Sequence, residues 1–338
     1  MYKRNRSTLG RNFPSPLVLM IGAGFVVALV AVMWARKSPT KKKIATAKKT
    51  QKKVKKVVAA AKKKAPEVRS DGAMVFENTV KNSLPYTVRK KMGREKGKFL
   101  AAVVARILIW KLDLRRDLRR GDNLRVLYKP TNDKSKFEVL AMQYRSSKHG
   151  KTFDFYRFHE NNRKYASYYD KEGNEVEVKL RNSPLRTYEQ VTSILKMRPK
   201  HKGVDFKAPT GTKIYLPWNG RVIRPTWNFR YNGNCVEMEF RRRGRRVRGM
   251  FLHMDKVAAI VKRGKRLRAG TVIGTVGNTG RSTGPHLHYQ LQTPGKRVLD
   301  PFKVHGTYTR KLSAGELGRF RTLQKQLEQQ LLQKEHNG

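Results

Sequence analysis

Acidic residues are scarce in this 338-residue chain: 24 Asp and Glu stand against 77 Lys and Arg, for a formal net charge of +53. That balance argues against an ordinary neutral cytosolic enzyme and points first to a polyanionic partner. Cysteine is nearly absent. The single Cys235 excludes an intrachain disulfide framework and any multi-cysteine zinc or iron–sulfur site, so a metal site has to be built from His and carboxylate. Apolar matter is not lacking, with 38% hydrophobic residues, 14 Phe, 13 Tyr and 4 Trp. These supply real cores and exclude wholesale disorder, and the length suggests about two folded domains.

The charge is unevenly placed. Residues 1–66 hold 18 Lys and Arg and no acid. Behind a basic segment, 1–16, lies a 19-residue uncharged run from Leu17 to Ala35. As a helix it spans roughly 28 Å, close to the hydrocarbon core of a bilayer. It ends Met33-Trp34-Ala35-Arg36 without a small-x-small cleavage site, so the expectation for 17–35 is an uncleaved transmembrane signal anchor with Trp34 at the interface. Residues 36–70 follow as a Lys/Ala-rich linker. Its stretch 41–64 carries 12 Lys, no acid and no aromatic, and cannot fold alone. It reads either as a solvated spacer or as a tether to an anionic wall polymer or lipid surface. Its likeness to DNA-binding tails rests on charge alone, and nucleic acid is not the expected partner.

From about residue 71 the chain reads as folded. The segment 71–185 predicts a small α+β module: a helix over Phe99–Leu118, then strands at Leu124–Tyr128, Phe137–Tyr144, Phe153–Phe158 and Val176–Leu180. His149 and His159 lie in it without metal-ligand spacing and read as surface residues. Segment 186–305 predicts a second, all-β unit. Its strands are Lys213–Leu216, Gly220–Ile223, Cys235–Phe240, Arg248–His253, Thr271–Val276 and His288–Gln292. Cys235 reads as an inert strand residue. In the tail, 306–338, Ser313 and Glu316 form a capping-box pattern before a helix whose Leu317, Phe320, Leu323, Leu327 and Leu331 share a face.

The second unit carries the chemistry. His201 and Asp205 stand four apart around a glycine, and His286 and His288 stand two apart. On an extended strand residues two apart project from one face. One imidazole can then bind a metal while its neighbour reaches the same pocket as a base. Two neutral histidines and one Asp make an N/O set suited to Zn²⁺ that leaves a fourth position open.

Three blocks carry a resemblance: HKGVDFKAPTGT from His201, FLHMDKV from Phe251, and VKRGKRLRAGTVIGTVGNTGRSTGPHLHYQL from Val261. In this order they resemble the lysostaphin/LytM-type zinc metallopeptidases of bacterial cell walls. WKLDLRRDLRRGDNLRVLYK, YYDKEGNEV and LRNSPL upstream are similar to the N-terminal module of MepM-like murein endopeptidases. The resemblance implies a mainly β fold with a C-terminal antiparallel metallopeptidase domain of the duplicated-hybrid-motif type, one Zn²⁺ per chain on His201, Asp205 and His288, and His286 and His253 as catalytic residues. It implies peptidoglycan as substrate, with cleavage of the D-alanyl to diaminopimelate cross-link. It also leaves one alternative, a catalytically weak relative that binds wall and activates a partner amidase.

The pattern departs from the family in places. Gln290 stands where an acid usually supports the ligands, Phe251-Leu252-His253-Met254 where Tyr-Ala-His-Leu is usual, and the block Met197-Arg198-Pro199-Lys200 is short. A wall substrate places the domains after Ala35 in the periplasm, anchored in the bacterial inner membrane by one span. Lys and Arg counted beyond the span favour the opposite orientation, but long domains translocate largely regardless of loop charge.

Overall fold

The computed structural model describes residues 72–131, 137–195, 197 and 201–332. The expected anchor at 17–35, the basic segment 1–16 and the Lys-rich linker 36–70 lie outside the described residues, as do most of the short block before His201 and the last six residues. Among the described residues no helix is long and apolar enough to cross a membrane.

The first sheet is an antiparallel meander of β1 (Met74–Thr79), β2 (Asn123–Pro130), β3 (Phe137–Ser146), β4 (Lys151–Phe158) and β5 (Ser167–Tyr169). Between β1 and β2 run two helices, α1 (Leu84–Met92) and α2 (Arg94–Leu108). Ser83 caps α1 by accepting the Tyr86 N–H, Pro85 fits its first turn, and Gly93 with φ near +80° ends it. The helix expected over Phe99–Leu118 is displaced toward the N-terminus and stops ten residues earlier. Carboxylates compete for the backbone there: Asp117 accepts from the Asp113 N–H and Asp113 from the Arg115 N–H, and such local bonds offer the chain an alternative to the helix. Leu100, Val104, Ile107 and Leu108 of α2 are buried against Leu124, Val126, Val139 and Tyr144 of the sheet.

Alternation along the strands sends Leu127, Ala141, Tyr156, Phe158 and Tyr169 to the other sheet face. That face is covered from the far end of the chain, by the helix Ala314–Leu332. Its Phe320, Leu323, Leu327 and Leu331 are buried there, and Glu328 accepts a hydrogen bond from Tyr156 at 2.6 Å. The tail therefore completes the first module as its third layer. In its predicted capping box Ser313 does accept from the Glu316 N–H, but the Glu316 carboxylate turns to Arg319 and the Asn161 N–H.

The second sheet holds most of the remaining strands, which follow β6 (Lys179–Leu180) in the order β7 (Gln190–Ser193), β8 (Val204–Lys207), β9 (Lys213–Tyr215), β10 (Gly220–Pro225), β11 (Asn234–Arg242), β12 (Arg245–Val257), β13 (Arg266–Leu267), β14 (Val272–Val276), β15 (His286–Gln292) and β16 (Val298–Leu299). A one-turn α3 (Phe229–Asn232) joins β10 to β11. The chain then continues through α4 (Pro301–His305) and β17 (Thr307–Tyr308), which pairs with β6, into the C-terminal helix, here α5. The spatial order is β13-β10-β11-β12-β15-β8-β7, with β14 bridging β12 and β9. Of the run expected at Val176–Leu180 only the last two residues form a strand. Glu175 makes an isolated antiparallel bridge to Tyr169, and the side chains of Glu175 and Glu177 are buried in an ion network with Lys179 and Arg163.

One face of this sheet is core: Val236, Met238 and Phe240 of β11, Val247 and Phe251 of β12, Leu287, Tyr289 and Leu291 of β15, and Val204 and Phe206 of β8. Cys235 is fully buried, and burial pushes its thiol pKa up, which suits an inert strand residue. His149 and His159 are exposed.

Phe320 tests the three-layer module. It is fully buried and meets Tyr156, Phe158 and Tyr169 edge-on at 5.5 to 6.1 Å. Phe320→Ala is expected to cost about 3–5 kcal/mol, read as a lowered midpoint in chemical denaturation. A change under about 1 kcal/mol would refute the packing.

Candidate metal centre

The site is built by the pairing of β8 with β15, which sets His288 opposite Asp205 and His286 opposite Lys207. Because Val204 and Phe206 point into the core, Asp205 and Lys207 point to the other face, and His286 and His288 join them there. His201 enters from the turn just before β8. Gly203 lets that turn lie flat on β15: a Cβ there would strike the Tyr289 carbonyl and sit 2.8 Å from His288 Nε2.

Asp205 is 3% exposed, and its two oxygens face two imidazoles. Oδ1 lies 2.7 Å from His288 Nδ1, and Oδ2 lies 3.1 Å from His201 Nε2. Burial alone would raise its pKa, but the two imidazoles that face its oxygens outweigh it and hold the carboxyl well below the usual carboxylate range. One ligand atom from each of His201, Asp205 and His288 falls within 4.8 Å of the others.

His201 decides whether this trio fits a metal. Its Nδ1 is 2.9 Å from the Ile194 carbonyl, which assigns the proton to Nδ1 and leaves Nε2 as a lone pair. That Nε2 is buried, and among the described residues it has no hydrogen-bond partner, although Asp205 Oδ2 lies 3.1 Å away. A buried, unsatisfied imidazole lone pair beside an ionised carboxylate costs stability unless a cation takes it up. The backbone carbonyl on the far nitrogen is the support a metal-bound imidazole uses.

His286 and His253 form the second half. His286 Nδ1 is 2.8 Å from the Gly284 carbonyl, so its Nε2 is the free lone pair, 3.8 Å from Asp205 Oδ1. His253 reaches the site by an irregularity that alternation does not predict. Leu252, not His253, pairs with His288, and an extra residue interrupts the pairing of β12 with β11 between Phe251 and Met254, both of which are core. His253 occupies the bulge with φ +64°, the left-handed region a branched-Cβ-free but bulky residue seldom adopts. The bulge brings its ring to 4.9 Å from that of His286. Its Nδ1 is 2.9 Å from the Thr279 carbonyl, and burial, with His286 and His288 near, lowers its pKa to about 4. Strain kept at such a position marks a residue the site depends on.

Residues 199–301 match peptidase family M23. They form an M23 domain. The chain is 30% identical over 240 residues to the peptidoglycan DD-endopeptidase ShyA of Vibrio cholerae, 67% of this chain and 52% of that protein. It is 37% identical over 98 residues to the DD-carboxypeptidase/endopeptidase Mpg of Neisseria meningitidis, 29% of this chain and 21% of that one. Among solved structures, the catalytic domain of the M23 protein EnpA of Enterococcus faecalis is 31% identical with a TM-score of 0.30, covering 34% of this chain and 90% of that one. The chain spans about half the length of the curated relatives it matches most extensively.

The five residues singled out in the sequence thus lie together on the site face of the M23 domain. The elements that orient them were not legible as such: the carbonyls of Ile194, Thr279 and Gly284, and β7, whose Ser193 pairs with Asp205. Gln290, the expected weak support, touches Gln292 and not the cluster. The first module also contributes. Phe99, Val103 and Trp110 of the α2 region line, with all five residues, a cleft of about 990 Å³, and Trp110 packs edge-on against Phe302 at 5.5 Å.

Behind β15, His305 stacks on Trp218 at 4.1 Å, with Nδ1 2.7 Å from the Arg181 carbonyl and Nε2 3.0 Å from the Tyr289 hydroxyl. Burial lowers its pKa to about 4 from an ordinary 6.5. The unfolded chain therefore takes up a proton there first as pH falls. The stability this neutral imidazole contributes is complete above about pH 6.5 and declines by about 3 kcal/mol toward pH 4. His305→Gln should flatten the denaturation free energy against pH across that window, and an unchanged slope would contradict the assignment.

Proposed function

We propose that this protein is a peptidoglycan endopeptidase whose M23 domain holds one Zn²⁺ on His201, Asp205 and His288 and cuts peptide cross-links of the wall, the D-alanyl to diaminopimelate bond in particular. The observation that carries the reading is the orphaned Nε2 of His201 beside the ionised Asp205. Three protein ligands, two imidazoles and a carboxylate, suit Zn²⁺ and leave a position open. A Zn²⁺ bound there supplies Lewis acidity toward the scissile carbonyl and the attacking water.

The protein's own groups handle the protons. His286 presents Nε2 as an acceptor because Gly284 holds the proton on Nδ1, which makes it the general base. His253 also rests with Nε2 as acceptor, its Nδ1–H held by Thr279. In that tautomer it orients the water. Should it receive at Nε2 the second proton of the water, an imidazole with a pKa near 4 would release it readily, which suits it to stabilise the developing oxyanion or protonate the leaving amine. The support for peptidoglycan is the M23 domain and the relatives named as peptidoglycan endopeptidases. The regulator alternative is disfavoured by the retention of all five polar positions.

A wall substrate places the M23 domain outside the cytoplasmic membrane, with Leu17–Ala35 as the inner-membrane anchor and the Lys-rich linker spacing the domains from it or resting on an anionic wall polymer or lipid.

His288→Ala is expected to lose both bound zinc and the release of monomeric muropeptides from cross-linked sacculi. His286→Ala should keep zinc while turnover falls by about 10²–10⁴; retained turnover in either variant refutes the assignment. For placement, protease added to spheroplasts should digest the M23 domain, and its protection would overturn the periplasmic reading.

A further inference from the structure

The loop between β10 and β11 carries two aromatic side chains that folding does not use. Phe229 is 53% and Tyr231 48% exposed, and α3, which holds both, buries no residue at all. The loop is nonetheless held in one shape. Thr226 and Asn228 sit at positive φ, +27° and +48°, conformations retained only where the surroundings enforce them. It is stitched to the segment Thr279–Arg281: the Arg281 N–H donates to the Tyr231 carbonyl at 3.1 Å, and the Asn234 N–H to Thr279 Oγ1 at 3.0 Å. The backbones touch so closely that a Cβ on Gly280 would lie 2.8 Å from the Gly233 Cα.

That same segment serves the site. The Thr279 carbonyl holds His253, and Arg281 through His286 line the cleft. The two exposed rings thus stand on a rigid arm one hydrogen bond away from the cleft wall. Exposed aromatics next to a cleft wall, outside the hydrophobic core, mark a surface for a ligand; Arg230 approaches the Tyr231 ring at 5.8 Å and still leaves it half exposed. A charged peptide would be served by the abundant Lys and Arg. An aromatic face instead suits a pyranose ring, which offers an apolar C–H face to the π-cloud and keeps its hydroxyls in water.

We propose that Phe229 and Tyr231 form a stacking platform for the sugar rings of the glycan strand that bears the scissile peptide; this rests on the peptidoglycan reading above. The platform acts in binding and not in the chemical step.

The test uses the full chain, wild type and F229A/Y231A, on two substrates: a cross-linked dimeric muropeptide with its disaccharides, and the same dimer stripped of sugar. The double variant should raise KM about tenfold on the sugar-bearing dimer with kcat unchanged, leave the stripped dimer unaffected, and be rescued by F229W/Y231W. Equal losses on both dimers, or no loss on either, overturn the platform; equal losses would assign the loop to positioning His253. Binding of peptide-free glycan strands gives a readout independent of cleavage, with the wild type binding about tenfold more tightly than F229A/Y231A. A wild type that binds strands through these rings and cuts neither dimer sinks the endopeptidase reading and leaves the platform standing. Cleavage with no dependence on sugar does the reverse.

Discussion

The site depends on one cross-strand pair. Asp205 of β8 stands opposite His288 of β15 on the face away from the core, and a slip of one residue in this register would leave one of the two on that face and turn the other into the hydrophobic layer. The register is specified by apolar neighbours: Val204 and Phe206 on one strand and Leu287 and Tyr289 on the other are buried, so core packing and ligand geometry are set together. Gly203 then lets His201 close the third side, and Ile194 turns its ring. Each polar choice at the centre follows from an apolar one beneath it.

The pair lies next to an edge that the first module finishes. β7 is the last strand of the sheet, and it borders Asp205 through Ser193. The N–H of its Val191 points outward and is taken by Glu177 Oε2 at 2.8 Å. Glu177 in turn is held by Lys179 at 2.7 Å, which also meets the buried Glu175 at 3.1 Å. Buried charges of this kind are seldom the most stabilising solution, yet removing one partner is costly because the other is left unpaired. The network therefore pins β7, closes an otherwise reactive sheet edge, and joins the module to the M23 domain within one framework.

What the amino-acid pattern made legible follows from how local each signal is. His201, Asp205, His286 and His288 stand out because their spacing maps onto neighbouring residues of two strands, and the strands over 213–292 follow from alternation. His253 was reachable only through resemblance, since alternation alone points it into the core and the bulge that redirects it depends on the pairing with β11. The first helix was misplaced because Asp113 and Asp117 compete for its backbone. The helix Ala314–Leu332 showed an apolar stripe but not its destination, which is a sheet some 150 residues earlier. Burial of Cys235 and Glu237 on the site side of β11 depends on what covers that face, which alternation along one strand does not show.

The charge takes on a narrower meaning once the site is placed. Glu237 holds Arg224 and Arg248, at 2.8 and 3.6 Å, on the same sheet face as the cluster, so part of the basic excess is structural. Farther along, the turn Arg241–Arg246 and the loop 262–268 gather exposed cations at one end of the sheet, and no carboxylate pairs with them among the described residues. That end lies roughly 23 Å along β12 from Leu252, which sits opposite His288, at about 3.3 Å per residue. Their field reaches the site only weakly at physiological ionic strength, where screening is complete within a few multiples of 8 Å. Positive charge therefore acts at the periphery of the protein more than in the cleft, where Asp205 and Glu177 are buried beside the imidazoles of His201, His253, His286 and His288.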